Sequence, residues 1–172
     1  MSARAPVRDH VRDCAVVNAS PLIYLSKVNQ LPLLRLIAPR ILVPNAVVAE
    51  IAAKGPGNAT SAALEAHREW LVPETVTAVP NNVLAWDLGA GESEVIATAL
   101  THANCPAIID DALARKCATT LKVELFGTLG LVLIAKQRGL IQSARTLLSE
   151  LRANGMFLSA AIVDQTVALV DE

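Results

Sequence analysis

Apolar and polar positions along this chain alternate between two patterns. Short, mostly apolar runs occupy residues 14–19, 41–43, 107–109 and 123–126. Bounded by turn formers, such runs predict strands buried on both faces. Between them, apolar residues recur at helical spacing. Examples are Val47, Val48 and Ile51; Val95, Ile96 and Ala99; and Ala114, Cys117, Ala118 and Leu121. Strands alternating with helices predict an α/β fold, a three-layer α/β/α sandwich around a central parallel sheet.

The punctuation supports this reading. Ser20 before Pro21 predicts a helix with Ser20 as N-cap and Pro21 at the first helical position, where its missing N–H costs nothing. A second helical piece carries Leu33, Leu34, Leu36 and Ile37 and stops before Pro39. Pro44 opens the helix that carries Glu50. Gly55, Pro56, Gly57 and Asn58 mark a loop. A helix over 61–69, short extended pieces at 70–72 and 75–79, and a brief helix over 83–88 follow. The strongly apolar helix over 129–137 stops at Gly139. Ser143 and Ser159 are expected to cap the last two helices.

The most informative stretch runs from Gly91 to Asp111. Glu92 precedes Val95, Ile96 and Ala99 by three, four and seven positions, which places it on the apolar stripe of its helix. A carboxylate there is costly unless it meets a charged or metal partner. Glu94 falls on the side of Thr98 and Thr101, expected to face solvent. The strand after this helix ends in Asp110 and Asp111, and ligands of open α/β sheets bind beyond the carboxyl ends of the strands. One of the two Asp residues is expected to cap the next helix. Arg115, four residues after Asp111, is expected to pair with it. Asn18 after the first strand, Glu50 after the second and Thr128 after the last are expected at the same edge. Clustered carboxylates repel unless a divalent cation holds them. Oxygen donors favour Mg²⁺ or Mn²⁺, and such an ion activates water against a phosphodiester.

Composition narrows the class. The chain has 172 residues, which suggests a domain over 13–172 after a polar, flexible lead-in over 1–12 that lacks the apolar core of a secretory signal. Apolar residues make up 53% with only 3% aromatics, more than one core of this size needs. This suggests a well-filled aliphatic core or a buried oligomer interface such as that of a homodimer, with the apolar segment around Leu33, Leu34, Leu36 and Ile37 and the run over 130–135 as candidate interfaces. No apolar run reaches the roughly 18 residues of a membrane span. Three cysteines without a Cys-x-x-Cys pair argue against a disulfide or zinc framework and for a reducing, cytoplasmic setting. The net charge of −1 gives no bulk signal for nucleic acid, so RNA binding would need a local patch or metal ions in an acidic site. The absence of Gly-x-Gly-x-x-Gly and Gly-Lys-Ser/Thr loops counts against a nucleotide-binding protein.

Several segments, in order, resemble motifs of PIN-domain proteins. They are Val17-Asn-Ala-Ser-Pro-Leu-Ile, Val43-Pro-Asn-Ala-Val-Val-Ala-Glu-Ile, Gly91-Glu-Ser-Glu-Val-Ile-Ala-Thr-Ala-Leu and Ile109-Asp-Asp-Ala-Leu-Ala-Arg, with Gly127-Thr-Leu-Gly and Ala135-Lys-Gln-Arg-Gly-Leu-Ile after them. The resemblance is closest to the VapC-like toxin branch, with its Asn-x-Ser-Pro-Leu start and Gly-Glu-x-Glu central helix. It implies a Mg²⁺- or Mn²⁺-dependent endoribonuclease, the toxin of a toxin–antitoxin pair, with RNA as substrate, a cognate antitoxin and a second copy of itself as partners. It implies Glu50, Glu92, Asp110 and Asp111 as catalytic acids and Asn18, Glu92, Asp110 and Asp111 as metal ligands. Glu94, Thr128, Ser20 and Arg115 are supporting candidates. The chain departs from the wider family at position 18, where Asn replaces Asp and brings no charge. That departure keeps a second expectation open: a catalytically weak module that binds RNA or protein.

Overall fold

The computed structural model describes residues 12–172. The lead-in expected over 1–12 falls outside the described residues except for Arg12, whose guanidinium pairs with Glu124. Five strands form one sheet: β1 (Cys14–Val17), β2 (Arg40–Pro44), β3 (Leu71–Glu74), β4 (Ala107–Ile108) and β5 (Leu125–Phe126). Their spatial order is β3-β2-β1-β4-β5, and every pairing is parallel. Every residue of β1 is buried, as is β2 from Ile41 onward. Burial of successive residues requires cover on both faces, which the helices supply in an α/β/α sandwich.

The chain progresses outward from β1 through β2 to β3, then returns to β4 beside β1 and runs outward again to β5. The direction reverses between β1 and β4. Such a switch point opens a crevice at the carboxyl edge, where crossovers leave in opposite directions. Residues 18 and 109–111 follow the two strands that flank it.

The helices are α1 (Ala19–Lys27), α2 (Asn45–Ala52), α3 (Ala59–Ala66), α4 (Asn81–Leu84), α5 (Ala90–Thr101), α6 (Ala112–Thr120), α7 (Thr128–Gln137), α8 (Ala144–Ala153) and α9 (Ala160–Ala168). Ser143 and Ser159 cap α8 and α9 as expected, accepting from the N–H groups of Thr146 and Ile162. Residues 75–79 form no strand.

Two expectations are corrected. The N-cap of α1 is Asn18, and Ser20 lies inside the helix. The segment Leu31–Leu36 is a 3₁₀ turn packed against α7. Its apolar residues therefore meet the protein on more than one side. Leu33 and Ile37 are buried and Leu34 is fully so, which removes this segment as an exposed interface. In the run over 130–135, Leu131, Val132 and Ala135 are likewise buried.

Candidate active site at the carboxyl edge of the sheet

Asn18 occupies a cap position without capping. Its side chain bonds no helix N–H, and the usual donor at the third helical position is missing because Pro21 has none. The carboxamide turns instead toward α5, where Nδ2 donates to Glu92 Oε1 at 3.0 Å. Asn18 is 2% exposed, and its Oδ1 has no hydrogen-bond partner. A buried acceptor without a donor costs roughly 1–3 kcal/mol, so it marks a place where something else is to be received.

Glu50 reaches the same point from α2. Its position is set indirectly by Glu94. The N-cap of α2 is Pro44, which has no side-chain oxygen, and Glu94 Oε2 supplies the missing acceptor for the N–H of Ala46 at 2.9 Å. Glu50 lies one turn further along that helix. Glu94 is thus half-buried and joins two helices, which corrects the expectation that it faces solvent. Thr98 on the same side is 2% exposed.

Gly91 is the floor of this group. A Cβ there would lie 3.1 Å from Glu50 Oε2 and 3.3 Å from Asn18 Oδ1. Glycine lets α5 come this close without pressing on either group. Burial, reinforced by the nearby charge of Glu92, raises the Glu50 pKa above its ordinary value, against a smaller opposing effect of Lys54. Two carboxylates and an orphaned amide oxygen form an arrangement that favours a cation.

A second group follows β4. Both oxygens of Asp110 are taken up by Thr128: Oδ1 accepts from its N–H at 2.8 Å and Oδ2 from its hydroxyl at 2.6 Å. Thr128 is fully buried at the start of α7. Asp111 is the cap of the pair, accepting from the N–H of Ala114. Arg115 does not pair with Asp111. Its Nη1 donates to the carbonyls of Ile109 at 2.8 Å and Phe126 at 3.1 Å, which ties the ends of β4 and β5 together. Gly127 permits this close approach, since a Cβ there would lie 3.0 Å from Arg115 Nη1 and 3.1 Å from Asp110 Oδ1.

The predicted constellation therefore forms two neighbouring groups on adjacent strands: Asn18, Glu50 and Glu92 on one side, Asp110 and Thr128 on the other. Among the described residues, no three acid, histidine or cysteine side chains converge closely enough by themselves to hold an ion. The donor set of the first group reaches three only when the Asn18 oxygen is counted. Sequence reasoning missed the bracing by Arg115 and the capping by Glu94. Pro44 at an N-cap was the available signal for the latter.

No curated protein matches the chain. A family profile described as PIN domain matches residues 14–172, nearly the whole chain and both groups of the site. The chain belongs to the PIN-domain family.

Proposed function

We propose that this chain is a divalent-cation-dependent endoribonuclease of the VapC-like branch, acting as the toxin of a toxin–antitoxin pair. Its PIN domain is a nuclease-type fold, and PIN domains generally use divalent metal ions. The observation that carries the reading is the orphaned Oδ1 of Asn18, which faces the Gly91 gap together with Glu50 Oε2 while the same amide holds Glu92. Neutral donors would satisfy one acceptor, but only a cation answers an acceptor and two negative charges together.

Asn18, Glu50 and Glu92 would hold a Mg²⁺ or Mn²⁺ ion, with Asp110 contributing from the adjacent strand. When bound, the ion supplies water activation and charge neutralisation at a phosphodiester. The protein's own part is placement. Asn18 fixes the Glu92 carboxylate through its Nδ2–H. Thr128 fixes the rotamer of Asp110 at both oxygens. Glu50, placed by the Glu94 cap on α2, brings the second carboxylate to the Gly91 gap. Asp111 stays in the proposal as the cap that sets where α6 begins, and Arg115 as the brace between strand ends. Ser20, next to Asp110 and Asp111 in the adjoining groove, completes the supporting set.

Calorimetric titration with Mn²⁺, paired with cleavage of a single-stranded RNA, tests the reading. The parent should bind and cut. Glu92→Gln keeps an acceptor for Asn18 and should lose both functions while melting within a few degrees of the parent. Cleavage at the parental rate by Glu92→Gln under limiting metal would overturn the assignment.

A second reading has its own observation. The Asn18–Glu92 hydrogen bond stabilises the ion-free arrangement, as a module that binds without cutting would need. RNA binding that is indifferent to a chelator, with no cleavage at millimolar metal, would favour that module.

A further inference from the structure

Beside the acids lies a groove of about 630 Å³, large enough for a nucleotide-sized ligand. Its lining includes Asp110, Asp111 and Arg115 together with Tyr24, Phe126 and Phe157. The chain contains two Trp, one Tyr and two Phe, and the Tyr and both Phe line this groove. In so aromatic-poor a sequence that concentration calls for a ligand with a flat face.

Phe157 stands apart from the other two rings. Phe126 already carries Arg12 over its ring at 5.2 Å, and Tyr24 carries Lys27 at 5.6 Å. Phe157 is 95% exposed, yet its neighbours Met156 and Leu158 are 8% and 7% exposed. The alternation anchors the backbone on both sides and displays the ring outward from a fixed position. An exposed Phe wastes the largest hydrophobic contribution the segment has, unless a partner covers it.

We infer that Phe157 stacks on an unpaired base of single-stranded RNA and so selects which phosphodiester is presented to the acids. The inference rests on the ribonuclease reading of the adjoining site. RNA is favoured as occupant by the continuity of the groove with Asp110 and by the Arg115 guanidinium in its lining. Arg115 uses only Nη1 among the described residues, leaving other N–H groups for a phosphate, whereas Arg12 is paired with Glu124 and Lys27 donates to the Asn154 carbonyl.

The test uses short single-stranded RNAs, with and without abasic positions, in Ca²⁺ in place of Mg²⁺ or Mn²⁺ so that binding is read without turnover, and follows binding by fluorescence anisotropy. Phe157→Ala should weaken binding to the complete RNA about 10-fold. Phe157→Trp should restore it. The abasic RNA should bind both the parent and Phe157→Ala equally weakly, because the phosphates remain and the stacking partner is gone. The position is exposed, so neither substitution threatens the fold. If Phe157→Ala binds complete and abasic RNA in the parental ratio, the inference is overturned and a protein segment becomes the occupant of the groove. Absence of RNA binding by the parent would overturn both readings. Parental binding that depends on Phe157, without cleavage of the complete RNA in Mg²⁺ or Mn²⁺, would uphold stacking and sink the nuclease.

Discussion

Asn18 gives a hydrogen bond to Glu92 and receives none at its own buried oxygen. The pair is therefore asymmetric, and replacing the amide with a carboxylate exchanges one strength for another. Asn18→Asp removes the Nδ2 donor and sets two carboxylates face to face across what is now a 3.0 Å contact. In the presence of a chelator the variant should lose about 1–3 kcal/mol of stability. With Mn²⁺ it should regain that loss and bind the ion more tightly than the parent. Thermal melts in chelator and in Mn²⁺ check both halves. A variant as stable as the parent in chelator would show that the Asn18–Glu92 bond contributes nothing.

Gly91→Ala separates folding from site function. Ala is the better helix former by about 1 kcal/mol, but its methyl enters the space between Glu50 and Asn18. Glu50 is exposed and can shift, whereas the buried Asn18 cannot. Stability should hold within about 1 kcal/mol while metal affinity falls at least several-fold. Unchanged metal affinity would place the ion away from the Asn18–Glu50 gap.

Thr128→Val keeps the backbone N–H that Asp110 Oδ1 uses and deletes the hydroxyl that Oδ2 uses. A hydrogen bond to a charged group of this kind contributes about 1.5–3 kcal/mol. The variant should be destabilised by about 2 kcal/mol, with cleavage falling further than stability because Asp110 is free to turn. Thr128→Ser should recover most of both. Equal activity in Thr128→Val and the parent would remove Asp110 from the reaction.

Acid should release a different contact. Lys136, together with the N–H groups of Arg145 and Ala144 and the Ser143 hydroxyl, lowers the Glu172 pKa from an ordinary 4.5 to about 2. A carboxylate whose folded pKa is depressed stabilises the fold above its unfolded pKa and loses that contribution as pH falls through the folded one. The melting temperature of the parent should therefore drop more steeply than that of Glu172→Gln between pH 4.5 and about 2. Parallel curves would mean the contact does not survive in solution.

Much of this molecule is readable from its sequence, and the unreadable parts have a common origin. The order of strands and helices, the caps at Ser143 and Ser159, and the inward face of Glu92 follow from periodicity and punctuation. Periodicity defines a face but does not say what covers it. Glu94 and Thr98 lie opposite the stripe of Glu92 and are still covered, because α5 packs against α2 as well as against the sheet. Leu34 has the same history beneath α7. Arg115 illustrates a second limit. Helical spacing names Asp111 as a partner within reach, whereas the carbonyls it actually binds belong to strand ends that only the assembled sheet brings together.

The bonds that define the edge also fix when it can come into being. Asn18 and Glu92 are 74 positions apart, and Asp110 waits for Thr128, 18 positions later. Contacts of such separation close only after the intervening chain has been ordered. A nascent chain still being translated short of Thr128 carries its acids but lacks the residue that holds both oxygens of Asp110. For the ribonuclease proposed above, that delay would keep the ribosome and message making it out of reach until synthesis is well advanced.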